Sequence, residues 1–448
     1  MEWKGSASPV HRLDIPGRVE NCAVAAVVLN RGCAEAIRKG RERVEIALEA
    51  AEQQGAMSLI ELDYVVVFER PKLLTGIGFD QSVRKVRRTR DGGHRPANSK
   101  RPGATLYRTM DLDVAGLFSS PEQHFLTMDG RDAVFLSMDR QSYHRSIFLD
   151  ARAAPVDPNP HRRDLLPLLD AASGLPPSPR LAWIFHIAHC GSTLLSRAID
   201  LPGANLVLRE PPPLRQLAIE SASSRRSARW SEKLALAHRL AARRFAEDEP
   251  AIVKANVPVN FILNELLELD PHAPAIFLHM ALESYLLAIL RDGAHRKWVD
   301  RVTDQLGPAL FKRIGTLDAR TTAERAAALW LAQTLIFSDA LEVQSSARGL
   351  DAETLFSEPS RIVDAALAHL GVAARPRESE LGEILSHYSK NPGQQFSEAD
   401  RRERQANDRV RLAHEILEGR RWIERAPAAT NLPQALHRPL VGEAIRLF

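Results

Sequence analysis

Cysteine is scarce in this chain of 448 residues, and that scarcity limits how the fold can be stabilised. Cys22, Cys33 and Cys190 are an odd set without metal-ligand spacing, which excludes a disulfide framework or a zinc ribbon. Long apolar runs are also missing. No stretch reaches about 18 apolar residues, the length of a membrane span, and the N-terminus lacks the apolar core of a signal peptide. We therefore expect a cytoplasmic protein with no membrane partner.

The excess of positive charge is confined to one segment. The net charge is +4, but residues 84–101 alone hold eight Lys/Arg and one Asp, so the rest of the chain is slightly acidic. The segment has no aromatic residues for base stacking and contains Gly, Pro, Asn and Ser. We interpret residues 84–103 as a solvated linker and expect no nucleic-acid partner.

Breaks in composition divide the chain into four parts, and its length allows two or three domains. Residues 1–110 form an N-terminal extension that contains the linker and receives no function. In residues 111–178, HFLTMDGRDAVFLSMD predicts a hairpin that turns at Asp129 and Gly130, hence a small β-rich cap. The Pro-rich GLPPSPR separates the cap from a main domain at 181–426, which residues 427–448 follow as a tail.

The main domain alternates short apolar runs with longer helical segments, the pattern of an α/β fold with a parallel β-sheet flanked by helices. The predicted strands are Leu181 to Ile187, Asn205 to Leu208, Ala251 to Val253 and Ala275 to His279. The predicted helices are Thr193 to Asp200, Ser231 to Phe245, Val259 to Leu269, Glu283 to Arg291, Thr322 to Ser346 and Glu398 to Gly419.

One strand leads through a glycine turn into a helix, in LAWIFHIAHCGSTLLSRAID. Free amides after such a strand, together with Ser and Thr hydroxyls, suit a phosphate or sulfate group. A merely capped helix is the alternative, because Ser and Thr are ordinary N-caps. The predicted anion-binding residues are Ala188, His189, Cys190, Gly191, Ser192, Thr193 and Leu194.

Polar residues also follow the other predicted strands. Glu210 ends LRE, Lys254 ends IVK and His279 ends IFLH. Because the carboxyl ends of parallel strands open on one crevice, we expect the three side chains to converge on the anion-binding turn. His186 and His189 stand close to Cys190, but neighbouring ligands on one strand end give poor tetrahedral geometry, so we expect no metal.

The segments HIAHCGSTLLSRAID, LREPPPL, IVKAN and DPHAPAIFLHMALESYLLAIL resemble the sulfotransferase family of P-loop-related proteins. The resemblance spans residues 181–290, with weaker similarity to residue 426. It implies that the turn holds the 5′-phosphosulfate of 3′-phosphoadenylyl sulfate, with His189 as its cationic residue. It further implies sulfuryl transfer to a hydroxyl or amine of a small-molecule or carbohydrate-like acceptor, with His189 and Lys254 neutralising charge and Glu210 or His279 as the base.

The sequence departs from the family pattern where the 3′-phosphate of the donor should bind. Met280 and Ala288 occupy the places of the expected Arg and Ser, and neither can neutralise a phosphate. Ser284, Arg291, Arg296 and Lys297 lie near enough in sequence to substitute, and Ser284 is our nominee. The segment HYSKNPGQQFSEADRR resembles one that closes over the donor in related bacterial proteins, and Lys390 is the candidate there.

Three other functions are alternatives to sulfuryl transfer. A nucleoside triphosphatase needs G-x-x-x-x-G-K-[ST], and here no Lys precedes Ser192. A cysteine phosphatase using Cys190 needs five residues between Cys and Arg, whereas six separate Cys190 from Arg197. A non-catalytic nucleotide- or anion-binding protein would have kept the turn and lost the donor site.

Overall fold

The computed structural model describes residues 24–29, 64–69, 83–87 and 114–448, except 224, 225, 317, 389, 390 and 396. The chain forms two compact units, Met1–Ala104 and Thr105–Phe448. Lys390 falls outside the described residues, so its expected role stays a prediction.

The described part of the first unit is an antiparallel sheet of three strands, β1 (Val24–Leu29), β2 (Tyr64–Glu69) and β3 (Val83–Arg87), with β2 in the middle. Strand β3 pairs with β2 in a register that sets Arg84 opposite Val67. The segment predicted as a linker from residue 84 therefore begins inside a strand, because the alternating VRKVR can pair along its backbone.

A five-stranded parallel sheet forms the centre of the second unit. Its strands are β7 (Leu181–His186), β8 (Leu206–Arg209), β9 (Ala251–Lys254), β10 (Ala275–His279) and β11 (Ala347–Asp351), in the order β11-β10-β7-β9-β8. Every residue of β7 to β10 is buried, as expected for continuous apolar strands covered on both faces. The predicted α/β fold with a parallel sheet is confirmed.

Helices cover this sheet. The longest are α9 (Gly293–Ile314) and α10 (Thr322–Val343), and α10 packs against α8 (Leu282–Ile289), α9 and α15 (Ala413–Arg425). By length and composition α10 could cross a membrane, which the sequence analysis did not indicate, but 78% of its apolar window is buried inside the protein. The helices are α1 (Val114–Ser119), α2 (Arg140–Arg145), α3 (Leu165–Ser173), α4 (Ser192–Ala198), α5 (Pro212–Ala222), α6 (Trp230–Ala241), α7 (Leu263–Leu269), α8 (Leu282–Ile289), α9 (Gly293–Ile314), α10 (Thr322–Val343), α11 (Ala352–Ser357), α12 (Pro359–His369), α13 (Glu378–Leu385), α14 (Glu398–Arg411) and α15 (Ala413–Arg425).

A second sheet precedes the parallel one in the chain. Strands β4 (Gln123–Asp129), β5 (Asp132–Ser137) and β6 (Asp157–Asp164) are antiparallel, with β5 in the middle. The turn between β4 and β5 contains Gly130 with a φ of 62°, as the hairpin prediction requires. The Pro-containing β6 takes the edge, where a missing N–H breaks no ladder.

The C-terminal residues run beside the parallel sheet. The N–H of Gly349 in β11 donates to the carbonyl of Arg438 at 2.9 Å, and the N–H of Leu440 returns a bond to Gly349 at 2.7 Å. Before this tail, β12 (His387–Tyr388) and β13 (Asn391–Gln395) form a small antiparallel pair.

Candidate active site

The turn between β7 and α4 is sharply curved. Its residues Ala188, His189 and Gly191 have φ angles of 75°, 51° and 84°. Two of these are not glycine, and side-chain-bearing residues adopt positive φ only where the surrounding structure holds them. The first helical bond of α4 runs from the N–H of Leu195 to Gly191 at 3.0 Å, so the three amides before Leu195 have no intrahelical acceptor. The turn therefore leaves these three amides without a partner inside the helix.

His186 links this turn to the rest of the site. Its Nδ1 accepts the N–H of Ala188 at 3.1 Å, so in the neutral ring Nε2 carries the proton. Its carbonyl accepts from the amide of Asn260 at 2.9 Å, and that amide also donates to Gln333 at 2.7 Å. The end of β7 is thus fixed by a buried hydrogen-bonded chain.

Gly191 lies against the helix that follows β11. A Cβ atom on Gly191 would stand 3.0 Å from Phe356 Cζ and 3.1 Å from Leu355 Cδ2. The guanidinium of Arg401 lies 4.4 Å from the centroid of the Phe356 ring, a favourable cation–π distance. Glycine is required here both for its φ and for this close approach.

Cys190 is buried inside the turn. Its thiol donates to the carbonyl of Leu278 at 3.7 Å, and it is fully inaccessible. Burial raises the pKa of the Cys190 thiol to about 11, which opposes the thiolate that a cysteine phosphatase needs. In the described part of the chain, no three His, Cys, Asp or Glu side chains form a group that could hold a metal ion.

Lys254 and Glu210 meet beside the turn. The Lys254 ammonium, on a residue only 1% exposed, forms an ion pair with the half-buried Glu210 carboxylate. The same carboxylate lies 3.8 Å from His186 Nε2. Glu210 has a φ of 58°, and its N–H donates to the Lys254 carbonyl at 2.7 Å. Two of the three predicted strand-end groups are therefore brought together, with His186 as an additional member.

His279 lies on the other side of β7 in the sheet order. Its Nδ1 stands 4.0 Å from a carboxylate oxygen of Asp351 at the end of β11. Burial lowers the pKa of His279 to about 4 and raises the pKa of Asp351 to about 6. Asp351 also caps α11 by accepting the N–H of Glu353 at 2.8 Å. The described contacts of His279 are thus with β11 rather than with Glu210 and Lys254.

The predicted donor-binding residues of α8 take separate positions. Met280 is buried and its carbonyl accepts from the Trp330 indole at 3.0 Å, so it belongs to the core. Ser284 is half-buried in α8. Arg296 is paired with Glu415, whereas Arg291 is exposed and its carbonyl accepts from Arg411 of α14 at 3.0 Å.

Helix α9 borders the turn at His189, which the sequence did not predict. The ring of His295 lies 3.8 Å from the ring of His189, centroid to centroid, and the ring of Trp298 lies 6.1 Å from it. Further along α9, Gln305 accepts a hydrogen bond from Arg215 of α5 at 2.7 Å. The spacing of His295, Trp298 and Gln305 places them on one face of α9. This helical spacing was the signal in the sequence that could have revealed the helix.

Comparison with known proteins gives distant structural similarity only. No protein-family model and no curated protein matches this chain. A solved structure titled "Sulfotransferase Domain from the Curacin Biosynthetic Pathway" is similar at a TM-score of 0.32 and 14% identity, over 47% of this chain and 79% of that one. A sulfotransferase from Alicyclobacillus acidocaldarius is similar at a TM-score of 0.30 and 15% identity, over 53% of this chain and 95% of that one. At these TM-scores the fold assignment stands on the strand order of this chain itself.

Proposed function

We propose that this chain transfers a sulfuryl group from 3′-phosphoadenylyl sulfate to a hydroxyl or amine of a small-molecule or carbohydrate-like acceptor. The observation that carries the proposal is the Lys254–Glu210 ion pair, which lies beside the curved turn and next to His186. An anion-binding turn beside a carboxylate and a buried cation is what such a transfer needs.

The turn's part in the reaction is to hold the phosphosulfate. The amides of Ser192, Thr193 and Leu194 precede the first α4 hydrogen bond, and the two hydroxyls add donors. His189 is half-buried beside them, and its ring contacts the ring of His295 at a tilt. In the reaction, the bond between sulfur and the bridging phosphate oxygen breaks, and the leaving phosphate gains negative charge that these donors stabilise.

Glu210 is the proposed base. The acceptor oxygen or nitrogen forms a new bond to sulfur and releases its proton to the Glu210 carboxylate. Lys254 holds that carboxylate in place, and His186 Nε2–H faces the same oxygen at 3.8 Å. The described contacts of His279 are with β11, where its Nδ1 lies 4.0 Å from Asp351, so it takes no proton-transfer role in this proposal.

The 3′-phosphate of the donor needs other partners than the family's. Met280 is buried in the core and Ala288 has no polar atom. We assign the role to Arg291, which follows α8. Burial lowers the pKa of Arg404 of α14, and the charge of Arg291 nearby lowers it further.

The test is incubation of the protein with 3′-phosphoadenylyl [³⁵S]sulfate and a mixed panel of hydroxyl and amine acceptors. Transfer that is lost in Glu210→Gln supports the proposal. If adenosine 3′,5′-bisphosphate failed to bind while the folded protein bound sulfate, the donor assignment would be wrong.

A non-catalytic anion-binding protein is the second candidate, and the apolar Met280 favours it. Binding of adenosine 3′,5′-bisphosphate without transfer to any acceptor would identify it.

A further inference from the structure

Two arginines, one on α5 and one on α9, lie close to each other, and the one on α5 lies near the proposed base. Arg215 lies one turn into α5, which begins two residues after Glu210. Arg301 lies on α9, one turn before Gln305, the residue that accepts from Arg215 at 2.7 Å. Because residues four apart on a helix are neighbours, Arg301 and Gln305 share one face. The two guanidinium groups therefore border the same space.

Neither arginine forms an ion pair in the part of the chain that the structure describes, although Glu210 acts on Arg215 from a greater distance. Among the described residues, no carboxylate forms an ion pair with Arg215 or Arg301, and the partner of Arg215 is the neutral amide of Gln305. Other arginines of α9 are different, since Arg296 pairs with Glu415 and Arg313 with Asp339.

The two charges act on each other. Burial lowers the pKa of Arg215, Arg301 lowers it further, and Glu210 opposes both effects. A half-buried guanidinium beside a like charge is electrostatically costly unless an anion joins the pair. Arginine is also the side chain that proteins favour for recognising a carboxylate or phosphate through paired N–H donors.

We infer that the acceptor carries a carboxylate or another anionic group, which binds between Arg215 and Arg301; this rests on the proposed function. Arg301 is six residues from His295, so it lies about 9 Å along the axis of α9 from the residue whose ring contacts His189. Glu210 receives the proton at the near end, and the arginines hold the far end.

Matched acceptors test the inference. Each hydroxyl compound of the panel is supplied as a carboxylic acid and as its primary amide, for example 4-hydroxyphenylacetate and 4-hydroxyphenylacetamide, with longer homologues. We expect kcat/KM to favour the acid by about ten- to a hundredfold, mostly through KM, as for charge-assisted hydrogen bonds. In Arg215→Gln and Arg301→Gln the ratio of acid to amide falls towards one. Lys312→Gln, an exposed cation in the last turn of the same helix, is the control and keeps the ratio.

Calorimetric titration of the same acids and amides, without the donor, separates this inference from the proposed function. Tighter binding of the acids that depends on both arginines, with no transfer to any acceptor, supports the anionic site and refutes the enzyme. Equal transfer to acids and amides leaves the enzyme standing and overturns the anionic site. Loss of discrimination in Lys312→Gln as large as in the arginine variants also overturns it, because the effect would then reflect net charge alone.

Discussion

The ammonium of Lys254 and the carboxylate of Glu210 form an ion pair at the carboxyl ends of the neighbouring parallel strands β9 and β8. Their backbones are joined as well, since the Glu210 N–H donates to the Lys254 carbonyl. The positive φ of Glu210 turns the chain at this point, so the carboxylate is aimed back at Lys254. The pair is thus specified by both strands, and the same carboxylate oxygen also lies 3.8 Å from His186 Nε2.

The first prediction concerns this ion pair. Glu210→Gln leaves the Lys254 ammonium, on a residue 1% exposed, without its counter-charge, so we expect the free energy of unfolding to fall by about 3 kcal/mol. Lys254→Met costs less, because the Glu210 side chain is 23% exposed and reaches water. Urea denaturation of both variants measures the difference.

The double variant Glu210→Gln with Lys254→Met is the control for stability. Removing both charges restores most of the lost free energy, so a double-mutant cycle gives a strong coupling energy. Sulfuryl transfer stays absent in the double variant, because the base is missing. If the losses of unfolding free energy in the two single variants simply added up in the double variant, the result would contradict the ion pair.

A second prediction concerns Gly191. Gly191→Ala has to adopt a φ of 84° and approach Phe356 Cζ at 3.0 Å. The backbone conformation costs about 1 to 2 kcal/mol, and the crowding adds about 1 kcal/mol. Because the turn shifts, binding of adenosine 3′,5′-bisphosphate weakens about tenfold. Thermal unfolding and calorimetry provide the two measurements.

Gly315→Ala is the matched control for Gly191. Gly315 has a φ of 76°, but a Cβ there would meet nothing within 4 Å. It should lose only the conformational part of the stability and bind the nucleotide normally. An equal loss of binding in both variants would mean that Gly191 acts through global stability.

The strands were predictable where apolar residues form an unbroken run. LAWIFH and AIFLH are buried throughout, and their apolar composition alone predicts this burial. Strand β11 was missed because ARGLD has one large apolar residue, Leu350, and its place depends on pairing with β10. Helix α9 was missed because Pro308 and two glycines interrupt its pattern, whereas packing against α10 maintains the helix.

The site was partly predictable for the same reason. A glycine turn after a buried strand is a local signal, and so is a polar residue at a strand end. The closeness of His186 to Glu210 and of His279 to Asp351 depends on the strand order, which no local pattern contains. The position of α9 beside His189 likewise depends on tertiary packing.

A third prediction concerns His189 and its ring partner. His189→Ala removes a donor at the phosphosulfate, so we expect turnover to fall roughly 10²-fold, as for the loss of one oxyanion-hole donor. His295→Ala removes only the ring that positions His189, and an aromatic pair contributes about 1 kcal/mol, so the fall is about fivefold. Steady-state rates with labelled donor distinguish the two. Unchanged turnover in His189→Ala removes that residue from the mechanism.

A fourth prediction concerns the 3′-phosphate of the donor. In Arg291→Gln the affinity for adenosine 3′,5′-bisphosphate falls about tenfold, the effect of losing one charge-assisted hydrogen bond. The affinity for adenosine 5′-phosphate, which lacks the 3′-phosphate, is unchanged. Arg296→Gln is the control, because Arg296 is occupied by Glu415 and should alter neither affinity. Equal losses for both nucleotides would place Arg291 elsewhere.

The fifth prediction is the dependence of stability on pH. Burial lowers the pKa of His124, His238 and His279 to about 4, whereas an unfolded histidine titrates near 6.5. Between those values the unfolded chain binds more protons, so the free energy of unfolding falls as pH drops from about 6.5 to 4. Each buried histidine contributes about 3 kcal/mol of this loss. Urea denaturation at several pH values from 7 to 4.5 should show the fall.

Two variants with opposite effects test the signs. His238→Gln removes one buried histidine, so the free energy of unfolding falls less as pH drops from about 6.5 to 4. Asp351 acts in the other direction, because burial raises its pKa to about 6 and the folded protein then holds a proton that the unfolded chain has released. Its contribution grows as pH falls from about 6 to 4, so Asp351→Asn, which can still cap α11, makes the acid loss steeper by about 3 kcal/mol. If both variants changed the slope in the same direction, net charge rather than these buried groups would govern the acid response.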